Sequence, residues 1–131
     1  MDCNLRDRFD RLLEEVLLEL PANLRNLLEE VPLVVEDRPS RQVMERLGVD
    51  DPLCLCGLYT GIPLTHRSVQ HSGTLPEVVN IFRQGVIEAA AARSGRIANA
   101  RLKRQIRITL LHEMGHHFGL KEKDLRKLGY Q

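Results

Sequence analysis

Apolar residues recur at helical spacing through the first part of the chain. Between Leu5 and Leu20 they fall every three or four positions, with arginine and aspartate between them. A stripe of this kind covers the face of an α-helix that packs on a core. Pro21 interrupts the stripe, and a shorter one follows. The pattern therefore predicts one helix over roughly residues 3–19 and a second over residues 21–30.

Short runs of apolar and β-branched residues, bounded by turn signals, predict three strands. They cover residues 32–36, residues 53–60 with the centre of the strand at 57–60, and residues 78–82. Helices are expected over about residues 40–47 and 85–92. Between the second and third strands, residues 65–75 are polar and form the longest predicted loop. Long loops are often functional, so His66 and His71 there either contact a substrate or are simply solvated.

The last long helix is predicted from Ala100 to near Phe118. Ile106, Leu110 and Met114 recur at every fourth position within it, and further apolar residues lie on other sides towards its end. A helix that is apolar on several sides is expected to be buried there. We therefore expect this helix to be the central one.

The end of this helix carries the sequence His-Glu-Met-Gly-His, residues 112–116. Positions i and i+4 share one face of a helix, so His112 and His116 can direct two imidazoles at one metal ion. Glu113 can then reach a water molecule held on that ion. Two imidazoles and a carboxylate, with one coordination position open, are typical of a catalytic zinc site. A histidine-rich helix end without a metal is the alternative interpretation.

A third protein ligand is expected shortly after the second histidine. Gly119 follows His116 by three residues and allows the chain to reverse at the end of the helix. Glu122 comes three residues later and can swing back under the histidines, which matches the long zincin motif with Glu in the third position. Asp124 lies only two residues further on and remains an alternative ligand.

Composition limits the remaining possibilities. The 131 residues are expected to form a single domain, 1–131, and 43% are hydrophobic, as in ordinary globular proteins. The formal net charge of +1 gives no general attraction to nucleic acid or to an anionic membrane. The charged N-terminal stretch lacks the features of a signal peptide, and no window is apolar enough to span a membrane. We therefore expect a cytoplasmic protein.

Two further groups of residues have competing interpretations. Cys54 and Cys56 could form half of a metal site, but with no second pair nearby two buried thiols are favoured.

Four basic residues lie in the first half of the last helix. A nucleic-acid patch would need aromatic residues for stacking, so a solvated face is favoured for them. These residues are Arg101, Lys103, Arg104 and Arg107.

Several segments together resemble a known family. They are a Leu-Pro break, Val-Val-Glu-Asp, Leu-Tyr-Thr-Gly-Ile-Pro-Leu, Val-Val-Asn-Ile-Phe-Arg and His-Glu-Met-Gly-His-His-Phe-Gly-Leu. In this order they resemble the small bacterial zincin-like metallopeptidases, the minimal zincins, over nearly the whole chain. The resemblance implies an α+β fold in which a small mixed β-sheet packs on an active-site helix with flanking helices. It also implies a zinc ion bound by His112, His116 and the acidic residue at Glu122.

The expected function is that of a zinc-dependent metallopeptidase, a hydrolase in which Glu113 activates a zinc-bound water to cleave a peptide or protein substrate. Zincins bind peptides along an exposed edge strand, and Val79, Asn80 and Ile81 are the predicted strand residues.

Three alternatives remain for the function. They are a zinc-binding regulatory or interaction protein without peptidase activity, a zinc hydrolase acting on another bond, and a helical binding protein without metal. No nucleic-acid or membrane partner is expected. The sequence does not indicate the oligomeric state.

Overall fold

The computed structural model describes residues 1–61 and 77–117. The predictions for His66 and His71, and those for Gly119, Glu122 and Asp124, lie outside this part of the chain. Within it the helices are α1 (Cys3–Glu19), α2 (Ala22–Glu30), α3 (Arg41–Leu47), α4 (Arg83–Ala90) and α5 (Asn99–His117). The strands are β1 (Leu33–Glu36), β2 (Gly57–Thr60) and β3 (Val78–Phe82), and a short 3-10 helix spans Pro52–Cys54.

Local sequence signals explain where several of these elements begin. The Asp2 side chain accepts a hydrogen bond from the Asn4 N–H (2.7 Å) and caps α1. Ser40 does the same for α3 by accepting from the Val43 N–H (3.2 Å). The Asp51 side chain accepts from Leu53 N–H (2.9 Å) and opens the 3-10 helix. The predicted helices and strands are confirmed to within two residues, except that the second strand forms only over Gly57–Thr60, because Pro52–Cys54 form the 3-10 helix.

The sheet is small and mixed, with the order β1-β3-β2 in the described residues. β1 runs parallel to β3, with Leu33 opposite Val79, and β2 runs antiparallel to it, with Gly57 opposite Ile81. The prediction that Val79, Asn80 and Ile81 form an edge strand is therefore wrong. β3 is the central strand, and neighbours pair with both of its sides, so no peptide can add to it.

One face of α5 and one face of α1 pack together with the sheet. The residues at this contact are almost completely buried: Phe9, Leu12, Val16, Val79, Ile81, Leu102, Ile106 and Leu110. This packing confirms that α5 is the central helix of an α+β fold. It leaves the opposite face of the C-terminal half of α5 directed at an opening next to β2.

Candidate active site

Two histidines occupy adjacent turns of α5 and face the same opening. The ring centroids of His112 and His116 lie 5.0 Å apart, at an interplanar angle of 72°. Both rings are partly exposed, whereas the residues on the other faces of this part of the helix are buried. The helical period alone produces this arrangement, since the two residues are four positions apart.

Glu113 completes a compact group with these histidines. One ligand atom from each of His112, Glu113 and His116 lies within 4.8 Å of the others. Ligand atoms on one tetrahedral zinc ion are about 3.4 Å apart, so small side-chain rotations would bring two imidazole nitrogens onto one ion. The donor set of two imidazoles with a nearby carboxylate also fits the preferences of zinc. The residues present therefore fit a zinc ion held by His112 and His116.

The carboxylate of Glu113 is set apart from the histidines by its burial. Glu113 is only 8% exposed, whereas both histidines are partly exposed to solvent. A carboxylate that is shielded from bulk water but borders an open cleft suits proton transfer to and from a bound molecule. Its place in the structure therefore differs from that of an ordinary surface glutamate.

The start of β2 lies directly on this carboxylate. A β-carbon at Gly57 would be 2.9 Å from Glu113 Cγ, 2.9 Å from the Asn80 carbonyl oxygen and 3.1 Å from Thr109 Cγ2. Real side chains do not tolerate such distances, so glycine is what allows β2 to approach α5 this closely. Sequence reasoning did not single out Gly57, although a glycine inside a strand is a known signal of close approach.

The opening between β2 and α5 is a cleft of about 340 Å³. His112, Glu113 and His116 lie along one wall of it. The remaining lining comes from the 3-10 helix, β2 and the middle of α5: Cys54, Leu55, Cys56, Gly57, Leu58, Gln105 and Thr109. A cleft of this size with a few convergent polar groups is a typical ligand site.

The two cysteines belong to this cleft and were only partly anticipated. Cys54 is exposed, so the prediction that both thiols are buried is wrong for it; Cys56 is partly buried. Burial raises the pKa of the Cys56 thiol, the nearby negative charge of Glu113 adds to this effect, and a hydrogen bond with Thr109 opposes it. Cys54 is exposed because it ends the short surface helix that Asp51 caps.

A second close approach holds the other end of the cleft wall. A β-carbon at Gly85 on α4 would lie 2.0 Å from the Leu55 carbonyl oxygen and 2.7 Å from the Leu55 carbonyl carbon. Phe82 N–H also donates to the Cys56 carbonyl oxygen (2.8 Å). These contacts hold the segment between the 3-10 helix and β2 against α4 and the end of β3.

The neighbouring histidine, His117, faces away from the cleft. It is 2% exposed, its Nδ1 lies 2.5 Å from a carboxylate oxygen of Glu77, and its ring meets the edge of Tyr59 at a centroid distance of 6.1 Å. The step from His116 to His117 turns the side chain by one helical position into the core. His117 therefore connects the end of α5 to β2 and to the residue before β3.

The fold and the site together define a class of protein. A central helix carries two histidines and a buried glutamate beside a small mixed sheet, which is the arrangement of zincin-like α+β proteins. A family model described as "Zincin-like metallopeptidase" matches residues 28–130 of the 131 residues, so the chain belongs to this family. A search of curated proteins found no match.

Membership implies a metallopeptidase-type domain that binds zinc. Within the described residues, no helix is both long enough and apolar enough to cross a bilayer.

Proposed function

We propose that this protein is a zinc-dependent peptidase that hydrolyses peptide bonds in the cleft between β2 and α5. One observation carries the proposal: the ligand atoms of His112, Glu113 and His116 converge within 4.8 Å on the wall of that cleft. Membership of the zincin-like metallopeptidase family supports it. A zinc ion at this position would supply Lewis acidity that acidifies water and polarises a carbonyl group.

In this proposal the three residues have different roles. His112 and His116 hold the metal through their partly exposed imidazoles, and Glu122 is proposed as the third ligand. Glu113 accepts a proton from the attacking water and passes it to the nitrogen of the leaving amine. Burial of Glu113 beneath Gly57 keeps its carboxylate oriented for both transfers.

The substrate is proposed to bind along β2 instead of β3. β2 is the terminal strand of the described sheet, and Gly57 and Leu58 line the cleft. Because Phe82 N–H donates to the Cys56 carbonyl, Cys56 and Phe82 form a hydrogen-bonded antiparallel pair. The next residue, Gly57, then directs its N–H and C=O away from β3. These groups are oriented to pair with an extended peptide that adds antiparallel to β2.

The proposed activity is tested with a panel of unfolded proteins and an RNA control. Wild-type protein loaded with zinc is expected to fragment the proteins and to leave the RNA intact. Glu113→Gln should bind zinc with unchanged stoichiometry but cleave at least about 100-fold more slowly, as general acid–base catalysis contributes on this scale. Glu88→Gln, which changes an exposed glutamate on α4, serves as the matched control and should cleave normally.

Two results would redirect the proposal. Zinc binding without cleavage of any protein would favour a regulatory or interaction protein. Cleavage of RNA that depends on Glu113 would instead indicate a zinc hydrolase acting on phosphodiester bonds.

A further inference from the structure

A second pocket adjoins the cleft along α5, towards the N-terminal end of that helix. It has a volume of about 260 Å³ and lies between α4 and α5. Its lining consists of Ala89, Ala90, Arg101, Arg104, Gln105 and Ile108. Gln105 also lines the cleft, so the two depressions share a wall. We call the second depression the arginine pocket.

The charge of the arginine pocket is not balanced within the described part of the chain. Arg101 and Arg104 are exposed, and neither forms an ion pair with a described residue. None of the residues that line the pocket is acidic. Lys103 on the same helix behaves differently, because its Nζ lies 2.6 Å from Glu19 and 3.7 Å from Glu15. The arginine pocket therefore offers two guanidinium groups to an anionic ligand.

The direction of a peptide in the cleft follows from contacts between β2 and α5. Gly57 of β2 lies against Glu113 of α5. Tyr59, two residues further along β2, contacts His117, which is four residues further along α5. β2 and α5 therefore run in the same general direction. A peptide antiparallel to β2 would run the opposite way, towards the N-terminal end of α5. The residues that follow the cleaved bond would then approach Gln105 and the arginine pocket.

The distance along the helix indicates which residue of the peptide reaches the pocket. Arg104 precedes His112 by eight residues, which corresponds to about 12 Å at a rise of about 1.5 Å per residue. An extended peptide advances about 3.3 Å per residue, so about four residues cover this distance. The flexible arginine side chain can shorten this span by about one residue.

We propose that Arg101 and Arg104 form a carboxylate-binding subsite that selects peptides with a carboxylate about four residues after the cleaved bond. The ligand is either an Asp or Glu side chain or the C-terminal carboxylate of a short peptide. This inference rests on the proposed function for the position of the cleaved bond. The presence of the arginine pocket itself does not depend on it.

The test uses random dodecapeptide libraries, one with a free C-terminal carboxylate and one amidated, and the full chain loaded with zinc. Cleavage products are sequenced by mass spectrometry, and residue frequencies are read at the third to fifth positions after the cut. Asp and Glu should be enriched about two- to fivefold there in the amidated library, the effect of a partly exposed ion pair. A preference for cutting about four residues from the end, in the free-carboxylate library alone, would assign the ligand to the C-terminus.

The variants compare three arginines on the same helix. Arg101→Gln/Arg104→Gln should lose the acidic preference through a higher KM, with kcat unchanged. Arg107→Gln removes an exposed arginine that does not line the arginine pocket, and it should keep the preference. Equal preferences in wild type and in the double variant would overturn the inference while leaving the peptidase proposal intact.

A binding arm separates this inference from the proposed function. The zinc-loaded Glu113→Gln variant is immobilised, and the peptides it retains from each library are identified at low and at high salt. Retention of carboxylate-bearing peptides that requires Arg101 and Arg104 supports the subsite even if the wild type cleaves nothing. If the variant retains no such peptides and cleavage shows no acidic preference, the subsite is rejected, whether or not the protein is a peptidase.

Discussion

Gly57 of β2 lies so close to Glu113 of α5 that a β-carbon on the glycine would be 2.9 Å from Glu113 Cγ. The strand thus covers the carboxylate that we propose as the general base, and it limits the positions that this carboxylate can adopt. Chemistry that depends on hydrogen-bond distances is sensitive to shifts of about 1 Å. The contact therefore connects the packing of the sheet to the proposed activity.

The first prediction concerns this contact. Gly57→Ala should displace Glu113 and lower kcat/KM by about 10- to 100-fold, because the methyl group occupies space that the carboxylate side chain now fills. The stoichiometry of zinc binding should not change, since the three atoms closest to the new methyl group belong to neither His112 nor His116. Steady-state kinetics and metal analysis on the folded protein provide the measurement. Unchanged kinetics would show that the contact does not position the carboxylate.

The second prediction concerns Gly85, which supports the far end of the cleft wall. Gly85→Ala should destabilise the protein by about 3 kcal/mol or more, because the added carbon would meet the rigid backbone of Leu55 at 2.0 Å. Urea denaturation measures this free energy of unfolding. Gly48→Ala is the matched control: its φ of 68° strains alanine by about 1–2 kcal/mol, but it has open space around it. Equal costs for the two variants would contradict the predicted clash.

The third prediction concerns pH. Asp37 accepts hydrogen bonds from Arg6 (2.5 Å) and Arg83 (3.0 Å), and Arg83 also pairs with Asp10 (2.9 Å), so this group connects β1, α1 and α4. The hydrogen bond from Arg6 is the main reason that the pKa of Asp37 lies below its ordinary value. A lowered pKa in the folded state stabilises the fold above the unfolded pKa of about 4, and this stabilisation is lost as the pH falls through the folded value.

Asp37→Asn should therefore lower the free energy of unfolding at pH 7 and have a smaller effect near pH 3, which lies below the unfolded pKa, so that part of the stabilisation is already lost. Urea denaturation of wild type and variant at both pH values measures the difference. Asp7→Asn changes an exposed aspartate on α1 that forms no ion pair with the described residues, and it serves as the control. A difference that stays constant between pH 7 and pH 3 would mean that ionisation of Asp37 does not stabilise the fold.

The local parts of this structure could be predicted from the sequence. The apolar stripe of α1 and the cap at Ser40 act within a few residues, and the predicted elements match the observed ones. The same reasoning explains why the spacing of His112 and His116 sufficed to bring the rings together, since both lie on one helix.

The parts that depend on contacts between distant segments were not predicted. The strand order is one example: β3 was expected at an edge but lies between β1 and β2. Its near-continuous apolar run, interrupted only by Asn80 and with Val79 and Ile81 buried, is typical of a central strand and was the available signal. The cleft residues Gly57 and Cys56 are another example, because only the packing of β2 on α5 brings them to Glu113.

The fourth prediction concerns the third metal ligand, which lies outside the described residues. Glu122→Ala should weaken zinc binding by about 10-fold or more, whereas Asp124→Ala should leave it unchanged, because only Glu122 has the spacing of the long zincin motif. Competition with a chromophoric chelator measures both affinities. The reverse result would assign the third ligand to Asp124.

The zinc content of untagged protein, purified without chelator, tests the central claim most directly. We expect one zinc ion per chain in the wild type and in the Arg107→Gln control. His112→Ala should remain folded by circular dichroism but bind no stoichiometric zinc, because half of the imidazole pair is lost. A wild-type protein that binds no zinc, even after the metal is added back, would contradict the proposed metal centre and the peptidase activity that depends on it.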